Sequence, residues 1–194
     1  MDTDRRRERW LVLRAQSGDR RALGQLLEGV QAPLFRYVRS LVGERALAQD
    51  VLQDVLWIVC RKLGTLREPD LFRAWAYRVA SREAFRQLKR QRRLPHGLDE
   101  AAYDAEGVRA FEGALTLEVK AQLGALVERA VPPASRAVLQ LYYFHDLSLV
   151  EVANALDVPL GTVKSRLAYG LHCLRRELGV AKAEQPENPK KETP

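Results

Sequence analysis

Isoleucine occurs once in this chain, at Ile58, and no run of β-branched residues alternates with polar ones. Asn-Gly and Asp-Gly pairs are also missing, so the usual signals for strands and hairpins are absent. Cysteine is nearly absent: Cys60 and Cys173 lie far apart with no CxxC spacing. That excludes a disulfide scaffold and a cysteine-based zinc site, and it fits a reducing cytosol. Both thiols are expected to be small core residues. No apolar run approaches the roughly 18 residues of a membrane span. The opening MDTDRRRERW lacks the apolar stretch of a secretory signal. The three histidines, His96, His145 and His172, are scattered, and HExxH, Gly-rich phosphate loop and GxSxG patterns are missing. Neither a metal, a cofactor nor a catalytic activity is expected.

What the chain has is leucine, thirty in 194 residues, with alanine, arginine, glutamate and glutamine around it. Residues 34–68, 70–94, 96–131, 134–158 and 160–185 contain no proline. These compositions favour helix by propensity, and the fold class is all-α. Helices are predicted at about 5–16, 19–42, 44–63 and 70–91, then at 114–130, 133–145, 148–156 and 160–178. Asp19 is a candidate N-cap, and Pro33 is a point where its helix could bend or restart. Pro133 suits a first turn, and Ser148 with Glu151 fits a capping box.

Charge divides the chain into blocks. The whole carries +7, but residues 1–93 hold 21 basic and 11 acidic side chains, residues 94–118 one and six, and residues 119–194 ten and eight. The segment LPHGLDEAAYDAEGVRAFEG (94–113) combines glycine, proline and acids without an apolar stripe and reads as a flexible linker. Residues 181–194 hold three prolines and no large apolar group and read as a disordered tail. The expected organisation is therefore a helical domain at 1–93, the acidic linker at 94–113, a second helical domain at 114–180, and the tail.

Three segments carry candidate chemistry. In LSLVEVANALDVPLGTVKSRLAYGLHCLRREL (147–178), a short helix, a tight Asp157-Val158-Pro159 turn and a longer helix have helix-turn-helix spacing. Small Ala153 permits close helix approach, while Thr162, Lys164, Ser165 and Arg166 point outward, where they suit phosphates and base edges. An ordinary αα-hairpin with solvated charges is the plainer reading. In the second segment, FRAWAYRVASREAFRQLKRQRR (72–93), eight Arg or Lys face a single Glu83. Phe72, Trp75, Val79 and Leu88 mark its buried side. Such charge is an electrostatic footprint for nucleic acid, although a solvated basic helix end would look similar. The third, LAQDVLQDVLWIVCRKL (47–63), has a buried stripe of Leu47, Val51, Val55 and Val59 with Leu52, Leu56 and Cys60 beside it. Asp50, Gln53, Asp54 and Trp57 share the remaining face, which suits either protein docking or plain solvation.

Taken together, residues 10–178 resemble the RNA polymerase sigma factors of the extracytoplasmic-function (ECF) type. AQDVLQDVLWIV is similar to that family's polymerase-binding helix, FRAWAYRVASREAFRQLKR to its minus-ten-reading helix, and PPASRAVLQLYYFHDLSLVEVANALDVPLGTVKSRL to its minus-thirty-five-reading domain. The resemblance implies two helical domains, region 2 and region 4, acting as a bacterial initiation factor without catalysis. It implies that Asp50, Gln53, Asp54 and Trp57 meet core RNA polymerase, at the β′ clamp helices, with the β subunit also a partner. Arg67 in the loop Gly64–Asp70, with Arg78, Ser81, Arg82, Phe85, Arg86, Lys89 and Arg90, would hold the separated minus-ten strand of promoter DNA. Thr162, Lys164, Ser165, Arg166 and Tyr169 would enter the minus-thirty-five major groove, with Arg136 on its phosphates. Many relatives are held inactive by an anti-sigma protein, and the implied location is cytoplasmic, on the nucleoid.

Departures from the family pattern accompany the likeness. Arg82 and Arg86 stand where Asn and Asp are usual, Asp157 replaces the usual turn glycine, and Tyr169-Gly170-Leu171 replaces a common Arg-Ala-Arg. A twenty-residue linker spans at most about 70 Å, or roughly 20 base pairs, so two tethered modules could reach separate promoter elements. A free-standing helix-turn-helix regulator and a helical protein-binding adaptor are the competing readings of the residues.

Overall fold

The computed structural model describes residues 2–91 and 117–178. The predicted linker (94–113) and tail (181–194) lie outside the described residues. Within them the chain is helical with no strand: α1 (Asp2–Gln16), α2 (Arg20–Val42), α3 (Arg45–Lys62) and α4 (Phe72–Arg90), then α5 (Leu117–Ala130), α6 (Pro133–Leu139), α7 (Leu149–Leu156) and α8 (Leu160–Glu177). Two 3-10 turns, Leu63–Thr65 and Pro69–Leu71, join α3 to α4.

Each boundary has a local cause. Asp19 Oδ1 accepts from the backbone amides of Arg21 and Ala22 at 2.9 and 3.1 Å, opening α2. The Ala22 amide, aided by Arg21 and Arg14, holds this carboxyl below its ordinary range. Gly43 closes α2 at φ 81°, a left-handed turn that glycine takes without steric cost. Between them α2 runs unbroken through Pro33, so the possible restart there does not occur. Ser148 and Glu151 form the capping box of α7. The helix predicted over 133–145 divides instead: α6 ends at Leu139 and Gln140–Phe144 forms a π-helical turn. Five consecutive residues across this junction, Ala137, Val138, Leu139, Gln140 and Leu141, lie inside the core.

The core follows the i, i+4 stripes. Leu26, Val30, Leu34 and Val38 of α2 meet Val51, Val55 and Val59 of α3, and Phe72, Ala76, Ala80 and Ala84 of α4. Alanine at every fourth position lets α4 sit close to its neighbours. Cys173 is buried as expected, but Cys60 is exposed. It lies one residue past Val59, about 100° further round the helix, and so leaves the stripe. Trp75 is half-buried, 6.2 Å from Phe72 between ring centroids.

The two halves do not stand apart. Their buried side chains form one contiguous cluster, and α7 packs along α4 as broadly as α3 packs on α2. Tyr37 of α2, Tyr77 of α4 and His145 after the π turn make an aromatic junction. The Tyr77 hydroxyl and His145 Nδ1 share a 2.8 Å hydrogen bond, and the Tyr37 and His145 rings meet edge-on at 5.9 Å. Burial, aided by Arg36 and Arg73, pushes the His145 pKa from 6.5 down to about 4.

Gly170 explains one departure from the family pattern. A Cβ there would lie 2.8 Å from Leu139 Cδ1 and 3.2 Å from its Cγ, so glycine lets α8 approach α6 closely. Gly170→Ala gains helix propensity but presses on a fully packed leucine. The expected net loss is about 1–2 kcal/mol in denaturant unfolding, and no loss would mean that Leu139 has room to move.

His145 gives a pH dependence with a defined sign. Opening or unfolding returns it to water, where it binds a proton below about 6.5, while the packed ring stays neutral to about 4. The packed state therefore loses stability as pH falls between those values, by about 2 kcal/mol from pH 7.5 to 5. Asp19 and Asp157 have lowered pKa values and give way only below this window. Thermal melts across pH 7.5–5 check this, with His145→Gln expected to flatten the slope and an unchanged slope contradicting it.

Candidate nucleic-acid interface

Amphipathic patterning fixes which side chains α3 shows outward. With Val51, Val55 and Val59 buried, Asp50, Gln53, Asp54 and Trp57 are all exposed on the opposite side. Trp57 is 60 % exposed, with the Arg61 guanidinium 4.6 Å from its ring centroid. Solvation of so large an aromatic surface is unusual for a core residue and suits a contact surface.

The loop after α3 is held by a residue the sequence did not single out. Gln16 Nε2, at the end of α1, donates to the carbonyls of Leu63 at 2.9 Å and Leu66 at 2.7 Å. Arg9 pairs with Asp70 at 3.2 Å, and Arg73 Nε donates to Glu8 at 2.8 Å. The hydrogen bond to Glu8 raises the Arg73 pKa further. The first helix thus anchors both sides of the loop that carries exposed Arg67. Nothing in the α1 pattern announces this, because a glutamine serving two backbone carbonyls looks like any surface glutamine.

On α4 the structure separates the expected contact residues. Arg82, Arg86, Lys89 and Arg90 are exposed, Arg78 is partly exposed, and Phe85 is half-buried against the core. Ser81 does not belong to this surface: it is 3 % exposed, shares a 2.7 Å hydrogen bond with the Tyr37 hydroxyl, and donates to the Tyr77 carbonyl. Its position follows Tyr77 by four residues, on the buried stripe, so the expectation of a DNA contact there is corrected. Lys89 and Arg90 occupy the last turn, where the helix dipole favours cations.

The outward arginines are matched with acids. Arg86 lies 3.5 Å from Asp54 of α3 and also pairs with Glu83. Arg78 and Arg82 both bind Asp157, at 2.5 and 2.9 Å. These two hydrogen bonds hold the Asp157 carboxyl below its ordinary range. Asp157 caps α7 at φ 59°, ψ 44°, the left-handed turn before α8.

In α8, Val163, Leu167 and Leu171 are buried, and Lys164 is exposed beside partly exposed Thr162, Ser165 and Arg166. Ser165 Oγ donates to the Thr162 carbonyl at 3.0 Å. Tyr169 is half-buried against the core cluster. Arg136 does not face outward as expected. Its Nε and one terminal nitrogen donate to the Val131 carbonyl, and the other donates 2.9 Å to the Ser40 carbonyl of α2. Partial burial lowers its pKa. It ties the second half to the first and, in this arrangement, is turned away from any phosphate. Among the described residues no cluster of His, Cys, Asp or Glu could hold a metal, and no helix is long and apolar enough to cross a membrane.

Comparison with known proteins bears directly on this pairing of an α4 surface with a helix-turn-helix. Residues 26–94 match the Sigma-70 region 2 family and residues 129–176 match Sigma-70, region 4. The chain is 31 % identical over 188 residues to the RNA polymerase sigma-H factor of Pseudomonas aeruginosa, covering 91 % of this chain and 93 % of that one. It is 31 % identical to the ECF RNA polymerase sigma-E factor of Escherichia coli, covering 81 % and 86 %. Among solved structures, CnrH in complex with the cytosolic domain of CnrY is similar at a TM-score of 0.65 and 25 % identity, covering 91 % of this chain and 99 % of that one. With both regions matched in order and relatives aligned almost end to end, the chain belongs to the Sigma-70 family, among the RNA polymerase sigma factors of ECF type.

Proposed function

We propose that the chain binds core RNA polymerase and directs it to promoters by reading the minus-ten and minus-thirty-five elements. The observation that carries this is the matching of region 2 and region 4, one to each half, with basic side chains along α4 and in the first turns of α8. Asp50, Gln53, Asp54 and Trp57 form the proposed polymerase-docking face, on the β′ clamp helices. Their common exposure, acidic charge and bare indole support that role. Arg67, Arg78, Arg82, Phe85, Arg86, Lys89 and Arg90 form the proposed minus-ten surface. Arginine at 82 and 86 grips phosphate rather than reading base edges, so affinity there depends steeply on salt.

Thr162, Lys164, Ser165 and Arg166 form the proposed minus-thirty-five surface, in the first turns of α8, as helix-turn-helix geometry requires. The proposed domain limits are 1–93 and 114–180, tethered through residues 94–113. An anti-sigma protein is a further proposed partner. CnrH, which this chain resembles, was solved with the cytosolic domain of a second protein.

Pull-down with bacterial core polymerase followed by run-off transcription from genomic fragments tests the reading. The Asp50→Ala and Asp54→Ala double variant should bind core about tenfold more weakly at unchanged helix content by circular dichroism. The Asp50→Ala single variant, which touches no pair with α4, separates docking from release of Arg86. Unaltered core binding by the double variant would place the docking face elsewhere.

A further inference from the structure

The segment between α3 and α4 makes few hydrogen bonds of its own. Its first 3-10 turn is closed by the Leu66 amide on the Leu63 carbonyl at 3.1 Å, and its second by the Leu71 amide on the Glu68 carbonyl at 3.0 Å. Leu66 and Glu68, on either side of Arg67, are both extended, at φ −74°, ψ 110° and φ −110°, ψ 98°. Neither a helix nor a strand fixes where Arg67 stands. An exposed run of this kind stays mobile unless something outside it holds it.

What holds it is α1. Gln16 Nε2 reaches across 47 and 50 positions of sequence to the carbonyls of Leu63 and Leu66, so one amide group ties both ends of the first turn. Both bonds are partly buried, whereas the Arg9–Asp70 pair on the same helix has both side chains more than half exposed. Exposed ion pairs hold weakly and yield to salt, while hydrogen bonds shielded from water are stronger. α1 is seated by its own buried residues, Leu11 and Val12, so the anchor does not depend on the loop. The helix ends at Gln16, ahead of residue 26, where the region 2 match begins. The clamp on the loop therefore comes from outside the matched region.

We infer that Gln16 is a positioning residue for minus-ten recognition: its amide fixes the 63–71 loop on α1 and so sets where Arg67 meets the DNA strand. The inference rests on the proposed promoter-reading role of this loop and α4. It adds to that role a residue that acts only through the loop backbone. A cation held in one place favours one register of a strand over its neighbours, whereas a mobile one takes every register alike. Holding it beforehand also removes an ordering cost at binding. Loss of the clamp should therefore appear as lost selectivity between strands of equal charge.

Gln16→Met and Gln16→Glu test this. Methionine keeps the length and packing but donates no hydrogen bond, and an ionised glutamate of the same shape turns acceptors toward two carbonyls. The holoenzyme is measured for binding to a single-stranded minus-ten oligonucleotide from a mapped start site and to a scrambled strand of the same composition. The ratio of the two affinities is expected to fall about three- to tenfold in both variants, the range that one or two partly buried hydrogen bonds allow. Core polymerase binding, helix content by circular dichroism and affinity for the scrambled strand should stay as in the wild type. A spin label on exposed Glu68→Cys, in a Cys60→Ser background, should give a narrower line in both variants as the loop is released. An unchanged ratio would overturn the inference. So would an equal loss for both strands or weakened core binding, which general loss of structure gives. A wild-type holoenzyme with no preference for the mapped strand would instead overturn the promoter reading on which the inference rests.

Discussion

Arginine recurs every four residues along the outer side of α4, at 78, 82 and 86, with Lys89 and Arg90 beyond, while alanine recurs every four along its inner side. The rest of the molecule is organised around this one helix. Its small inner residues let α2 and α3 pack tightly, so the outer side chains sit on a rigid support. Such a row of cations is costly to crowd without counter-charge, and acids meet it from several directions: Glu8 at its start, Asp54 from α3, Glu83 on the helix itself, and Asp157 from the second half. In a promoter complex phosphates would supply that neutralisation. The same charge that suits DNA thus also draws the two halves of the free chain together.

The aromatic junction adds a second, apolar reason for closure. Tyr37, Tyr77 and His145 meet where the halves join, and burial raises both tyrosine pKa values and lowers that of the histidine. All three stay neutral at neutral pH, so the seam carries no charge cost at its centre and leaves ion pairs to its rim. The interface therefore has a neutral centre and a rim of exposed ion pairs, which salt screens.

Much of this was legible in the sequence, and the limits have physical causes. Stripe periodicity located the helices of the described residues within a few positions, apart from the one predicted over 133–145, which gives way to a π turn after Leu139; it also put Asp50, Gln53, Asp54 and Trp57 outside, because burial on a helix repeats with the turn. It misjudged Cys60, whose neighbour Val59 is the last residue of the stripe. The family resemblance placed Ser81 on the wrong side, since a serine amid arginines reads as polar surface until the Tyr37 hydroxyl is seen beside it. Arg136 and Asp157 were recognised as residues of interest but given outward or local tasks. Their partners, Ser40, Arg78 and Arg82, are distant in sequence, and a contact between halves leaves no periodic trace. Gln16 went unnoticed for the same reason.

The central claim is that this chain directs core RNA polymerase to promoters, with α3 facing the enzyme and α4 and α8 facing the DNA. Run-off transcription by core polymerase on promoter-bearing fragments, with and without the chain, tests it most directly. The account predicts defined start sites only when the chain is present. The same transcripts with and without it would contradict the account.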